Sequence, residues 1–248
     1  MPMNAGQLQL PASCAVVGCD GAIGAAITAQ LLDLGVAVHG FDIADDTAHS
    51  LASFTRIPGD DPDAAIGAFA SRIRQTNPAA LVVASGIYPA RPSSAETCGS
   101  LSQVLEINTV VPAILVRTFI DSTQGPGATI VVTSSLAAVR PRVGTAAYST
   151  SKVALETLMH ALALEYRDQR ARINMVRPGY VASNSEMNPI PAAYDQRMKA
   201  NGLSSTPDEL VSTYLWLLSE NSRQVNSSTL EVDRGMRLGS TTETAWLG

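Results

Sequence analysis

Seven short apolar runs that lack polar–apolar alternation are separated by stretches of helical period, and this pattern most constrains the fold. The runs are Cys14 to Gly18, Val36 to Ile43, Phe54 to Ile57, Ala80 to Ala84, Ala128 to Ser134, Ala171 to Arg177 and Thr229 to Asp233. Between them, Ala22 to Leu34, Ala64 to Arg74, Cys98 to Thr123 and Tyr148 to Asp168 repeat apolar residues at helical spacing. A strand that is apolar on both sides must be covered on both sides, so these runs predict a parallel sheet between two layers of helices. The crossovers are then right-handed. A chain of 248 residues, 46% hydrophobic and only 16% charged, can bury this as a single domain. The expectation is an α/β, doubly wound parallel sheet of about seven strands, spanning residues 1–248.

Charge and cysteine content exclude several functions. A formal net charge of −5 speaks against a basic nucleic-acid surface. No uninterrupted apolar run reaches the roughly 18 residues of a membrane span, so no membrane is expected. Met1 to Leu10 lacks the basic start and long apolar stretch of a secretory leader. Cys14, Cys19 and Cys98 are odd in number and form no C-x-x-C, which predicts a reducing, cytoplasmic setting without a zinc site. His39, His49 and His160 are scattered and read as structural, so no metal is expected. The segment 179–207 lacks strong periodicity and is the candidate substrate loop, with Met187, Ile190, Tyr194 and Met198 facing a ligand and Asn184, Ser185 and Asn188 as a polar hinge.

Gly18, Gly21 and Gly24 lie in the turn between the first strand and first helix. Glycines there let a pyrophosphate approach the backbone and the helix N-terminus. Asp42 ends the second strand, where a carboxylate accepts hydrogen bonds from an adenosine ribose and repels a 2′-phosphate. No Arg or Lys occurs between Gly18 and Asp46. The pattern predicts NAD, with NADP less favoured. No G-K-S/T follows the glycines, which excludes a P-loop phosphotransferase.

Lysine is rare, with Lys152 and Lys199 the only two among seventeen basic residues. Lys152 follows Tyr148 by four residues at the start of a helical stretch, on one helix face. An ammonium beside a phenol lowers the phenol's pKa and makes it a usable acid or base. Ser135 ends the strand before this helix. With Asn108 in LEINTV, Pro178-Gly179 after the sixth strand and Val232 to Gly235 in the last, the chain resembles the short-chain dehydrogenase/reductase family over nearly its whole length. Val17, Ala22 and the segment Val83-Ala84-Ser85-Gly86 depart from the family's usual residues.

The resemblance implies a Rossmann-type fold and hydride transfer between NAD(H) and a secondary alcohol or ketone. It assigns Asn108, Ser135, Tyr148 and Lys152 to catalysis. Gly18, Gly21, Ile23, Gly24, Asp42, Asp60, Gly86, Tyr148, Lys152, Pro178, Gly179, Val181 and Ser183 would hold the cofactor. It also implies a homodimer or homotetramer built on the helices carrying Val104, Leu105 and Ile107 and Leu155, Leu158, Met159 and Leu162. Arg91, Arg140 and Arg142 fall in loops near the expected substrate pocket and read as solvated surface residues, with an acidic substrate as the other possibility. Two rivals are a catalytically silent NAD-binding regulator and a methyltransferase; the second has no use for the Tyr–Lys pair.

Overall fold

Each central strand is apolar on both sides because each side meets its own layer of helices. In the computed structural model, which describes residues 8–123, 127–169, 171–183 and 190–239, the elements are β1 (Ser13–Val17), α1 (Ala22–Asp33), β2 (Ala37–Asp42), β3 (Ser53–Arg56), α2 (Pro62–Thr76), β4 (Ala80–Val83), α3 (Cys98–Leu105), α4 (Val111–Ser122), β5 (Thr129–Thr133), α5 (Ala146–Glu165), β6 (Arg172–Pro178), β7 (Tyr180–Val181), α6 (Ala192–Ala200), β8 (Ser204–Ser205), α7 (Pro207–Leu218) and β9 (Thr229–Val232). Seven strands form one sheet in the order β3-β2-β1-β4-β5-β6-β9, and every pairing is parallel. The order reverses between β1 and β4, which opens a crevice at the carboxyl edge there.

Alternate residues of one strand supply the two cores. Ala15 and Val17 of β1, Leu81 and Val83 of β4, and Ile130 and Val132 of β5 pack toward α2, α4 and α5, with Phe69, Leu115, Phe119, Leu155 and Met159. Cys14 and Val16, Val82 and Val131 face the other way, onto Ile27 and Leu31 of α1 and Leu210, Tyr214 and Leu217 of α7. Local signals set the helix ends. Asp61 caps α2 by accepting from the Ala64 N–H at 2.9 Å, Pro62 follows, and Asn77 closes the helix in the left-handed region at φ 42°.

Two features depart from the sequence expectation. The single helix expected from Cys98 to Thr123 is α3 and α4 joined by a π-helical turn, Glu106–Val110. Pro112 has no N–H for the Asn108 carbonyl four residues back, so the regular ladder cannot close there. The stretch Cys98–Ser122 is long and apolar enough to cross a membrane by length and composition, but α4 turns Leu115, Val116 and Phe119 into the core. The second departure lies in the aperiodic segment 179–207, which contains β7, α6 and β8. Met198 of α6 is buried with Leu136, Tyr180 and Met236, and Ile190 and Tyr194 pack against the same cluster. Met198 is therefore committed to the protein interior, while Ile190 and Tyr194 stay partly buried beside it. Asn184, Ser185, Met187 and Asn188 lie outside the described residues.

Candidate active site

The carboxyl ends of β1, β2, β4, β5 and β6 bring the expected residues to one edge of the sheet. Gly18 takes φ +81°, and a Cβ on it would lie 2.8 Å from the Ser85 N. A Cβ on Gly24 would lie 1.9 Å from the Gly18 carbonyl oxygen, so the first turn of α1 can sit this close to β1 only without a side chain. Gly21 is the N-cap of α1; no side chain caps the helix and no acid stands in its first turn. That leaves amide donors and the positive end of the helix dipole for an anion. Ile23 packs against the α1 core.

Asp42 is held in place by backbone. Its Oδ2 accepts from the Asp20 N–H at 2.9 Å and its Oδ1 from the Ile43 N–H at 2.8 Å. The sheet register sets Arg56 beside Asp42, and the Arg56 guanidinium pairs with Asp45 at 2.8 Å. A scan of neighbouring sequence missed this cation because it arrives from the next strand. Asp60 is exposed in the bend before α2, where its neighbour Asp61 takes the capping role.

Asn108 is fully buried in the π-helical turn. Its Oδ1 accepts from the Ile87 N–H at 2.8 Å, and its Nδ2 donates to the Ile87 carbonyl at 2.9 Å and to Ser151 Oγ at 3.1 Å. It thereby fixes the segment after β4 to α5. Gly86, just before Ile87, leaves room for Asn108: a Cβ there would press to 3.1 Å from Asn108 Oδ1 and lie in ordinary contact, at 3.6 Å, with Lys152 Nζ.

α5 buries Ala147, Ser151, Lys152, Leu155, Glu156 and Met159 along one stripe. Its first half thus turns polar side chains into the site and its second half turns apolar ones into the core. Lys152 Nζ donates to the Thr133 carbonyl at 3.1 Å, and burial pulls the amine down to about 8 despite the Glu156 carboxylate one turn on. Tyr148 is half-buried, with Tyr88 packed edge-on at 4.6 Å between ring centres. Burial raises its phenol above the ordinary value, while the neighbouring Ser135 hydroxyl and the Arg142 guanidinium pull it down. Lys152 Nζ lies 5.8 Å from the Tyr148 ring centre and is not among the groups that lower this phenol. The Lys152 ammonium is turned instead to the Thr133 backbone carbonyl. Ser135 Oγ accepts from the Ala137 N–H at 3.2 Å and caps the short turn after β5.

Pro178 pairs in register with Val232, and the Gly179 N–H donates to the Val232 carbonyl at 3.0 Å. A Cβ on Gly179 would lie 2.7 Å from the Asp233 Cα, so this crossing also requires glycine. Val181 lies in β7, and the Ser183 N–H turns back to the Val181 carbonyl at 2.9 Å. Sequence reasoning missed Tyr88, Ser151 and the buried pair of Glu156 with Arg177. The one local hint was Glu156, a further turn along the Tyr148–Lys152 face. His39 and His160 bond to Ser53 and Ser227, each at 2.9 Å, in keeping with structural roles.

These residues fit a dinucleotide: a glycine cradle at an uncapped helix start, a backbone-held carboxylate at the next strand end, and a Tyr–Lys–Ser group across the crevice. Residues 18–237 match the profile of the family described as enoyl-(acyl carrier protein) reductase. The chain is 31% identical over 163 residues to 3beta-hydroxysteroid dehydrogenase 1 of Eggerthella lenta, covering 62% of this chain and 61% of that protein. It is 36% identical over 104 residues to glucose 1-dehydrogenase 2 of Bacillus subtilis, covering 40% and 39%. The matched stretches thus span about two-fifths to three-fifths of these relatives' length. Among solved structures, a 4-hydroxyisoleucine dehydrogenase complexed with NADH superposes with a TM-score of 0.81 at 23% identity, covering 92% of this chain and 99% of that one. A short chain dehydrogenase from Burkholderia cenocepacia in complex with NADP gives 0.80 at 23% identity, covering 92% and 98%. The chain belongs to the short-chain dehydrogenase/reductase family.

Proposed function

We propose that the protein is an oxidoreductase that moves a hydride between NAD(H) and a secondary alcohol or ketone. The observation that carries this reading is the grouping of Tyr148, Ser135, Lys152 and Asn108 at the same strand edge as the glycine turn. Gly18, Gly21 and Gly24 would admit the diphosphate to the α1 N-terminus, and Asp42 would accept from the adenosine ribose. The bound nicotinamide supplies the hydride chemistry. Tyr148 exchanges a proton with the substrate oxygen, and its raised pKa keeps the hydroxyl protonated until a partner is in place. Ser135 donates to that same oxygen, in an oxyanion-type role. Lys152 stands ready to leave the Thr133 carbonyl for a ribose hydroxyl. Asn108 keeps Gly86 and α5 at the spacing that leaves room for this amine. The backbone after Pro178, with Gly179, Val181 and Ser183, orients the nicotinamide carboxamide.

A carboxylate at Asp42 supports NAD as the partner, while Arg56 in the next strand is a nearby cation that could serve NADP. Leu101, Val110, Val153 and Leu158 are exposed along the α3–α5 side of the molecule, which supports a homodimer or homotetramer through those helices. The three cysteines are free, two buried and Cys98 exposed, which supports a reducing cytoplasm. Following nicotinamide absorbance against secondary alcohols, sugars, cyclic diols and oxoacyl compounds, with both cofactors, tests the reading. Turnover lost in Tyr148→Phe supports it; tight NAD binding with no turnover of any class would favour the silent regulator.

A further inference from the structure

Three arginines follow strand ends near Tyr148, and two of them are used internally. Arg91 faces Glu96 at 3.9 Å, and Arg140 donates to the Met236 carbonyl. Arg142 is different. Its guanidinium lies 5.2 Å from the centre of the Tyr194 ring, and it pairs with no carboxylate among the described residues. Arg197, one turn along α6 from Tyr194, lies 5.3 Å from the same ring and is equally without an acid among the described residues. Two acids of the neighbouring segments are already engaged. Asp195 takes the Lys199 ammonium and the Tyr180 hydroxyl, each at 2.7 Å, and Glu96 accepts from Ser100 Oγ at 2.5 Å.

The scaffold around Arg142 is rigid. Its N–H donates to Thr145 Oγ1 at 2.9 Å, and that hydroxyl donates back to the Arg142 carbonyl at 2.8 Å. The Arg91 N–H bonds the Gly144 carbonyl at 3.0 Å, tying this loop to the one after β4. Tyr194 stands edge-on to Tyr180 at 5.2 Å. Stacking on a ring face holds a guanidinium while leaving its in-plane N–H donors unspent, and those donors match a carboxylate as a fork. Thr145 Oγ1 also bonds Ser149 Oγ at 3.0 Å, so the Arg142 loop is tied to the first turn of α5, which carries Tyr148. Arg142 and Arg197 share one aromatic ring, which sets two guanidiniums with no carboxylate partner among the described residues side by side.

We propose that Arg142, backed by Arg197 across Tyr194, is the subsite for a carboxylate on the substrate, and that the enzyme acts on hydroxy and oxo acids. The inference rests on the oxidoreductase reading above. In the reduction of an oxo acid, a hydride from NADH adds with its electron pair to the carbonyl carbon, the Tyr148 phenol gives its proton to the carbonyl oxygen and regains one from solvent, and the C=O bond becomes a C–OH. The carboxylate is unchanged and serves only to bind and orient.

Matched 2-oxo and 3-oxo acids and their methyl esters, reduced with NADH by the unmodified, Arg142→Gln and Arg142→Lys proteins, test this. At least one acid should exceed its ester by about 10-fold or more in kcat/KM. Arg142→Gln should cut that acid-to-ester ratio by about 10- to 100-fold, mainly through the KM of the acid, as expected for a charged hydrogen-bonded partner. Arg142→Lys should restore part of it, keeping the charge without the fork. Equal losses for acid and ester would mean a structural role and overturn the proposal, as would esters that match or exceed their acids. If no compound turns over, titrating the NADH-loaded protein with the same acids and esters, read by nicotinamide fluorescence, decides. Binding of an acid, but not its ester, that Arg142→Gln abolishes supports the subsite; no such Arg142-dependent binding overturns it. Failure of NADH itself to bind would instead overturn the oxidoreductase reading.

Discussion

Glu156 grips the Arg177 guanidinium with both carboxylate oxygens, Nε donating to Oε1 at 3.0 Å and Nη2 to Oε2 at 2.6 Å. Ser134 Oγ donates to the same Oε1 at 2.5 Å, and Arg177 Nη1 reaches on to Glu231. Ser134 precedes Ser135, Arg177 precedes Pro178-Gly179, and Glu156 lies one turn from Lys152. One buried carboxylate therefore joins the ends of β5 and β6 to α5.

Removing the Glu156 charge strips the largely buried Arg177 guanidinium of its two-oxygen partner and leaves it only the more exposed Glu231. Glu156→Gln should destabilise the fold by about 3 kcal/mol, the cost typical of breaking a buried pair. The double change Glu156→Gln with Arg177→Met removes both charges and should recover most of that loss. Denaturant unfolding curves measure both; a double variant no more stable than the single one would refute the account.

Lys152 makes stability depend on pH in a stated direction. Burial brings its amine from the ordinary 10.5 to about 8, so the folded chain holds this proton less tightly than the unfolded chain does. The cost is complete below pH 8, where both states are protonated, and fades as pH rises through 8 toward 10.5. At about 1.4 kcal/mol per tenfold change in proton affinity, the full cost is about 3 kcal/mol. Lys152→Met should therefore stabilise the ligand-free protein below pH 8, with the gain shrinking above it. A gain constant from pH 6 to pH 10 would contradict the assignment.

Tyr148 and Ser135 divide the work at the substrate oxygen. Tyr148→Phe keeps the ring against Tyr88 but removes the transferable proton, and turnover should fall by at least about 10²-fold. Ser135→Ala removes a donor to the developing charge, and a similar loss of about 10²-fold or more is expected in kcat. Steady-state rates on any turned-over substrate provide the check, with circular dichroism to show that each variant folds.

Asp42 should set the cofactor preference. Its carboxylate disfavours a 2′-phosphate, so NADH should bind more tightly than NADPH, and Asp42→Ala should narrow the gap by weakening the repulsion. Arg56→Ala added to Asp42→Ala should cost NADPH more than NADH, because it removes the neighbouring cation. Fluorescence titrations with both reduced cofactors measure this. Equal affinities in the unmodified protein would rule it out.

The glycine turn should tolerate no side chain at Gly24. With only 1.9 Å between a new Cβ and the Gly18 carbonyl oxygen, Gly24→Ala must push α1 away from β1. NADH affinity should drop by at least about tenfold, an arm of steric origin that Asp42→Ala does not share. Titration of both variants separates the two effects.

The seven apolar runs, the helical stretches Ala22 to Leu34, Ala64 to Arg74 and Tyr148 to Asp168, the glycine turn and the Tyr148–Lys152 face were legible in the sequence, because each depends on residues within a few positions of one another, whereas α7 (Pro207–Leu218) was not read. Strand period, helical period and turn chemistry are local, and the parallel order followed from apolar strands separated by helices. The tertiary structure decided what distant segments do on meeting. Register brought Arg56 beside Asp42. The missing N–H of Pro112 and the burial of Asn108 turned one expected helix into two around a π-helical turn. Packing of Met198 on Leu136, Tyr180 and Met236 made a helix where no periodic signal stood. Depth in the site decided that Lys152 bonds the Thr133 carbonyl and that burial raises the Tyr148 phenol, since desolvation and the direction of a long side chain depend on every neighbour in space and on none in particular along the chain.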